Sequence, residues 1–288
     1  SHACARYVFQ EVDEALHQKL SKVIFEGDEA DLSLTTNTQP ALMAVSIATL
    51  RVLEHEVGSP LKEQSAICVA GHSLGEYSAL VAASALSLTQ AAKLLRIRGD
   101  AMQKAVPVGK GAMAALLGAT LEEVEAIVQE AKGSQVCEIA NDNAPGQVVI
   151  SGDLEAVERA LILAKEKGVK RAVRLPVSAP FHCSLMKPAA DVMASALEAT
   201  SFETLQIPLI ANISADLIEN HEICASLVAQ VTGRVRWSES MAGLKDRGVQ
   251  QVVELGAGKV LSGLMKRIDP DLEAVFLNTP QEMEAYLE

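Results

Sequence analysis

The sequence predicts an α/β fold in which a main sheet is interrupted by a small ferredoxin-like unit. Three observations predict it. The apolar run 66–70 leads into a G-x-S-x-G pentapeptide, Gly71 to Gly75, and an alanine-rich segment, 78–86, follows; that order is strand, sharp turn, helix. Residues 111–175 then run β-α-β-β-α-β, the ferredoxin-like order. Strand and helix alternate again between 208 and 277. The small unit therefore reads as closed on itself and inserted between halves of the main sheet, with boundaries at 1–108, 109–177 and 178–288.

The elements follow in order. Residues 1–36 read as helix and loop, with no strand ahead of the one before Ser73. Asn37-Thr38-Gln39-Pro40 opens a helix whose inner face carries Met43, Ile47, Leu50 and Leu53. Ser87 N-caps a helix to about residue 106, buried through Leu88, Ala92, Leu95, Gly99 and Met102. Arg98 borders that face, placed either to bind an anion inward or to snorkel from the rim. Arg96 lies about 200° away and is expected to pair with Asp100. Residues 111–118 form a strand, and Thr120 to Glu123 is a capping box. Strands 136–140 and 147–151 are joined by the turn-rich 141–146. Asp153 caps the next helix, which Gly168 stops before a strand at 169–175. A proline-shaped loop, 176–182, precedes a helix after Pro188; a strand at 208–213, a helix at 237–247 and strands at 251–255 and 274–277 complete the chain.

Composition narrows the function. The chain has 288 residues, 49% hydrophobic and 22% charged, enough for one large core or two modest ones. There is no run of about 18 apolar residues. The opening Ser1 to Tyr7 lacks the basic and apolar regions of a signal peptide, so a cytoplasmic location and no membrane are expected. The five cysteines (4, 68, 137, 183, 224) have no metal-like spacing and read as reduced thiols. A net charge of −12 excludes nucleic acid as a partner; an acidic partner would need a local basic patch.

The elbow carries the chemistry. Its turn strains Ser73 and exposes the hydroxyl above the sheet, while Gly71 and Gly75 lack side chains that would collide there. The N–H of Leu74, at the start of the helix, can receive an oxyanion. A serine hydroxyl needs a base. His72 is expected to pack under the elbow, away from that hydroxyl. His2, His17 and His55 read as surface residues and His221 lies in an acidic loop, which leaves His182 as the base. No carboxylate between the elbow and His182 is suitably placed, so a backbone carbonyl would orient the ring in a dyad.

Gly71 to Tyr77, Arg98-Gly99, residues 141–152, Pro180 to Cys183, Met186 to Asp191 and residues 254–264 together resemble the malonyl-CoA:acyl-carrier-protein transacylases. The resemblance runs from about Gln39 to the end of the chain. It implies an α/β-hydrolase-like large domain with a mostly parallel sheet, interrupted by a ferredoxin-like small one. It implies that Ser73 accepts malonate as an ester and that His182 acts as base and then acid. Arg98 would hold the free carboxylate by a bidentate pair, selecting malonyl over acetyl. Gln230 would orient His182 through its backbone carbonyl, Phe181 would crowd out a branched methylmalonyl group, and Asn141 and Asn212 would line the cleft. No cofactor or metal is expected beyond coenzyme A as a substrate thioester, and a monomer is expected.

The resemblance also implies an opening strand and a G-Q-G-S-Q loop supplying a second oxyanion donor, worth about 10²–10³ in turnover. No such stretch precedes residue 39, and those residues are expected upstream of Ser1. Lys170, Arg171, Arg174, Lys187, Lys259, Lys266 and Arg267 are candidates for docking an acidic carrier protein. Two other readings stay open: a serine esterase or thioesterase on the same elbow, and a non-catalytic carrier-binding module.

Overall fold

The computed structural model describes residues 2–288. Four helices open it: α1 (Ala3–Leu16), α2 (Leu20–Glu26), α3 (Glu29–Ser33) and α4 (Thr35–Val57). α4 begins two residues ahead of the predicted Asn37 and ends at Gly58, whose φ of +80° suits glycine. Its predicted inner face is buried at Met43, Ile47, Leu50 and Leu53. β1 (Val69–Ala70), α5 (Gly75–Ala82) and α6 (Leu88–Ala105) follow, α6 entered through a reciprocal capping box between Ser87 and Gln90.

The middle of the chain holds β2 (Gly111–Leu117), α7 (Leu121–Lys132), β3 (Cys137–Ala144), β4 (Gln147–Asp153), α8 (Leu154–Glu166) and β5 (Arg171–Arg174). Then come α9 (Lys187–Glu198), β6 (Leu209–Ile210), β7 (Leu217–Ile218), α10 (Ile223–Thr232) and β8 (Val235–Arg236). α11 (Trp237–Ala242), β9 (Gln251–Leu255), α12 (Val260–Ile268), β10 (Glu273–Leu277) and α13 (Pro280–Leu287) finish it.

A five-stranded sheet has the order β5-β2-β4-β3-β8; its first four strands are antiparallel and β8 joins β3 in parallel. β1 pairs in parallel with β6, to which β7 adds antiparallel, and β9 pairs in parallel with β10. The expected single main sheet is thus two short pieces. β1 stops at Ala70 because Gly71 starts the elbow, and β6 stops at Ile210 because Asn212 turns its polar groups onto that elbow.

Three other expectations change. Residues 141–144 are strand, not turn: β3 runs to Ala144 with bulges between Ile139 and Asn141 and between Asp142 and Ala144. Pairing of Asn141 with Val235 and of Asp142 with Arg236 overrides the turn preference of Asn and Asp. The small unit is therefore not closed on itself. Asp153 gives α8 no side-chain cap, because its carboxylate accepts from the Val136 N–H and ties β4 to the start of β3. Asp100 accepts its hydrogen bond from the Thr36 hydroxyl, so its attraction to Arg96 is through charge alone, and Arg96 Nε and Nη2 are left without hydrogen-bond partners.

One apolar core lies beneath the elbow, where Leu80, Leu95, Met43, Met193 and Leu227 from five helices meet. A second lies between the small sheet and α7 and α8, through Leu116, Ile127, Ile150 and Val157. Each such side chain contributes about 1.5–3 kcal/mol relative to exposure, which makes both cores rigid supports for the loops between them. Among the described residues no helix is long and apolar enough to cross a membrane, and no cluster of His, Cys, Asp or Glu could hold a metal ion.

Candidate active site

Ser73 sits between β1 and α5 at a φ of +54°, a left-handed backbone costly for a residue with a side chain. The turn closes so tightly that a Cβ on Gly71 would lie 1.9 Å from the Gly75 carbonyl oxygen. A Cβ on Gly75 would meet nothing within 4 Å, so the expected collision exists at Gly71 alone. Gly71→Ala is expected to destabilise the protein by about 3 kcal/mol, and Gly75→Ala by less than about 1 kcal/mol, as read from urea unfolding midpoints.

Side chains from three segments fasten the strained turn. Asn212 Oδ1 accepts from the Ser73 N–H at 2.6 Å, and Asn212 Nδ2 donates to the Gly71 carbonyl at 2.8 Å. Asn212, expected in the cleft, therefore braces the elbow from beneath and is 1% exposed. Glu76, fully buried in the first turn of α5, accepts through Oε2 from the Asn212 N–H and from Gln230 Nε2. Burial raises its carboxyl to about 7, against the lowering pull of those two hydrogen bonds and of Arg98. Gln230 Nε2 also donates to the Ser73 carbonyl at 3.0 Å.

His182 reaches this turn from the loop ahead of α9. Its Nε2 lies 2.7 Å from Ser73 Oγ and its Nδ1 lies 2.9 Å from the Gln230 carbonyl oxygen. Burial first, and the Arg98 charge second, push the imidazole down to about 3, so the ring is neutral at physiological pH. A neutral ring has one N–H. The Gln230 carbonyl can only accept, so that N–H is on Nδ1, leaving the Nε2 lone pair for the Ser73 hydroxyl proton.

Arg98 completes the cluster. Nη2 donates to Ser73 Oγ at 3.2 Å and to Gln230 Oε1 at 2.9 Å; Nη1 donates to Gln39 Oε1 at 2.7 Å. The guanidinium is 2% exposed and lies over the Tyr77 ring. Its hydrogen-bond acceptors are amides and a hydroxyl, all uncharged, so its charge is held in place without being neutralised by an ion pair. Gln39 is a site residue that the sequence reading passed over. Its place four residues before Met43 on the buried face of α4 was the available signal. Gly99 brings α4 and α6 together, since a Cβ there would lie 2.7 Å from Thr36 Cα.

The remaining predicted residues are spread around this centre. The Leu74 N–H lies at the mouth of α5 and takes no acceptor among the described residues. Phe181 packs with Met113, Ala140 and Val149 of the small sheet, and Asn141 is buried on β3. His72 points away from the hydroxyl, as expected, with Nε2 2.7 Å from Asn143 Oδ1 and its ring against Trp237. Of the basic candidates, Lys187 pairs with Asp191, Arg174 with Glu158, and Arg267 donates to Gln147 and the Pro145 carbonyl.

The hydroxyl on the strained elbow is in contact with both a neutral imidazole and a buried guanidinium, an arrangement suited to an acyltransferase. The acyl transferase domain model matches residues 1–268. The chain is 45% identical to the malonyl CoA-acyl carrier protein transacylase of Bacillus subtilis, over 97% of this chain and 87% of that protein. It is 42% identical to the transacylase of the same name from Escherichia coli K12, over 100% and 92%. The acyl-carrier-protein S-malonyltransferase structure from Bartonella henselae superposes with a TM-score of 0.96 at 52% identity, over 99% of this chain and 91% of that one. A malonyl-transacylase solved in complex with a type II PKS acyl-carrier protein superposes with a TM-score of 0.95 at 40% identity, over 99% and 91%. The chain belongs to the malonyl CoA-acyl carrier protein transacylase family.

Proposed function

We propose that the protein transfers malonate from malonyl-CoA to the phosphopantetheine thiol of an acyl carrier protein through a malonyl ester on Ser73. The observation that carries this reading is the contact of Ser73 Oγ with both His182 Nε2 and Arg98 Nη2. His182 Nε2 takes the hydroxyl proton as Oγ attacks the thioester carbonyl, and the Leu74 N–H faces the oxyanion that forms. The intermediate collapses with cleavage of the C–S bond, and His182 returns the proton to the departing coenzyme A sulfur. The carrier thiol then gives its proton to His182 and attacks the ester carbonyl. Collapse of this second intermediate releases malonyl-carrier and reprotonates Ser73 Oγ.

Arg98 binds the distal carboxylate, Gln39 and Gln230 hold its fork in register, and the Gln230 carbonyl fixes the His182 tautomer. Phe181 narrows the acyl pocket against branched malonates. In this reading residues 1–108 and 178–288 form a hydrolase-like large domain and 109–177 a ferredoxin-like small one, working as a cytoplasmic monomer that supplies fatty-acid synthesis. The exposed cations Lys170, Arg171 and Lys266 suit an acidic carrier.

A serine esterase would use the same elbow and base, but it has no use for an uncompensated guanidinium at 3.2 Å from its nucleophile. The test is intact mass after mixing with malonyl-CoA. The protein is expected to gain one malonyl group, mapped to Ser73 and absent from Ser73→Ala; no adduct would leave a non-catalytic carrier-binding module as the better account.

A further inference from the structure

His182 also has a left-handed backbone, at a φ of +58°, and it lies in a loop rather than in an element that would enforce that conformation. Such a backbone persists only where the surroundings over-determine it. The large part of the molecule supplies the Gln230 carbonyl on the far side of the ring. Besides Ser178, which donates to Gln103 of α6, and the part of Phe181 that packs on the large core, the loop leading to and from the ring is held by the small sheet. Pro180 packs against Gly111 of β2, where a Cβ would come within 2.4 Å of the proline ring. Phe181 is seated among Met113, Ala140 and Val149 of β2, β3 and β4. Two residues past the ring, Ser184 donates to Glu138 of β3 twice: its N–H to Oε2 at 2.9 Å and its hydroxyl to Oε1 at 2.6 Å.

We propose that Glu138 is a positioning residue for the catalytic base, its two-point grip on Ser184 latching the His182 loop to the small sheet. A carboxylate receiving both donors of one residue fixes that residue's position and orientation together, which a single hydrogen bond does not. The latch grips the chain two residues past His182 while the Gln230 carbonyl holds the ring itself, so the base is tied to both parts of the chain and its Nε2 is kept on Ser73 Oγ. Pro180 and Phe181 place the loop by shape; Glu138 supplies the polar contact that stops it from sliding along β3. This inference rests on the proposed roles of Ser73 and His182.

The test is the rate of Ser73 acylation by malonyl-CoA in full-length Glu138→Ala, Glu138→Gln, Ser184→Ala and the double alanine variant, followed by rapid quench and intact mass. Glu138→Ala is expected to slow acylation about ten-fold with half-saturation by malonyl-CoA unchanged, because the base and not the carboxylate clamp has moved. Glu138→Gln, which keeps an acceptor for the Ser184 N–H, is expected to recover most of the rate. The double variant is expected to be no slower than Glu138→Ala. Loosening should also admit water to the imidazole, which otherwise faces Ser73 and His72 of the elbow, Arg98 of α6 and Gln230 of α10, and so move the acid limb of the rate upward in pH. A Glu138→Ala enzyme with the wild-type rate and acid limb overturns the proposal, as does a slowed one whose acid limb has not moved. If the wild-type protein itself takes no malonyl group, the assignment of Ser73 and His182 falls and the latch with it.

Discussion

Arg98→Ala is expected to lower kcat/KM for malonyl-CoA by about 10²–10³-fold while leaving hydrolysis of a small neutral ester within a few-fold of wild type. The guanidinium is buried against Gln39, Gln230 and Ser73 with no carboxylate paired to it, so the substrate's own carboxylate is the charge that completes it. In the proposed reading an acetyl thioester leaves that charge uncompensated, and this unmet requirement is expected to separate the two substrates. Arg98 also depresses the basicity of His182, so removing it should make the imidazole a stronger base and partly offset the loss for uncharged acyl groups. The measurement is the ratio of kcat/KM for malonyl- and acetyl-CoA. An unchanged ratio would return the esterase reading. Arg98→Lys should recover little, because an ammonium cannot bridge Gln39 and Gln230 while facing a carboxylate with two parallel donors.

The residues that meet at this point differ in how far the sequence announced them. Ser73 was legible because the elbow is a local device: five consecutive residues between a strand and a helix dictate it. Helical phase put Arg98 at the border of the buried face through its position relative to Leu95 and Met102 and left inward and rim placements both open; the structure buries it. His182 was reached by its place in a proline-shaped loop and by the poor settings of the other histidines. The supporting network was not legible. Glu76 and Gln39 look like ordinary helical polar residues, and their role exists only because α4, α5 and α10 converge. Asn212 was placed in the cleft by the family resemblance alone; it is spent on the elbow backbone instead. The same limit explains residues 141–144. Their composition is that of a turn, and nothing local reports that β8 would arrive, from more than 90 residues away, to pair with them.

His182→Ala is expected to reduce malonyl transfer by about 10⁴-fold, and the pH behaviour of the two proteins should separate catalysis from folding. The base must be neutral to act. With the folded imidazole pushed down to about 3, the wild-type acylation rate should stay level well below 6.5 and fall only near pH 3. Stability follows a different course. The folded pKa lies below the ordinary value of 6.5, so the unfolded chain takes up the proton first as pH falls. The contribution of this residue to stability is thus complete above about pH 6.5 and is lost as pH falls toward 3. Glu76 has the opposite sign: raised from 4.5 to about 7, it contributes fully below 4.5 and its contribution is lost as pH rises through 7. Acid therefore weakens the fold through His182 across a range in which the base itself is still competent, and Glu76 offsets part of that loss. In urea titrations His182→Ala should lose less stability than wild type between pH 6.5 and 4, and Glu76→Gln should lose less between pH 5 and 8. A wild-type rate that instead titrates near 6.5 under conditions where the protein stays folded would mean the imidazole is hydrated, and the burial that keeps it neutral would not govern its chemistry.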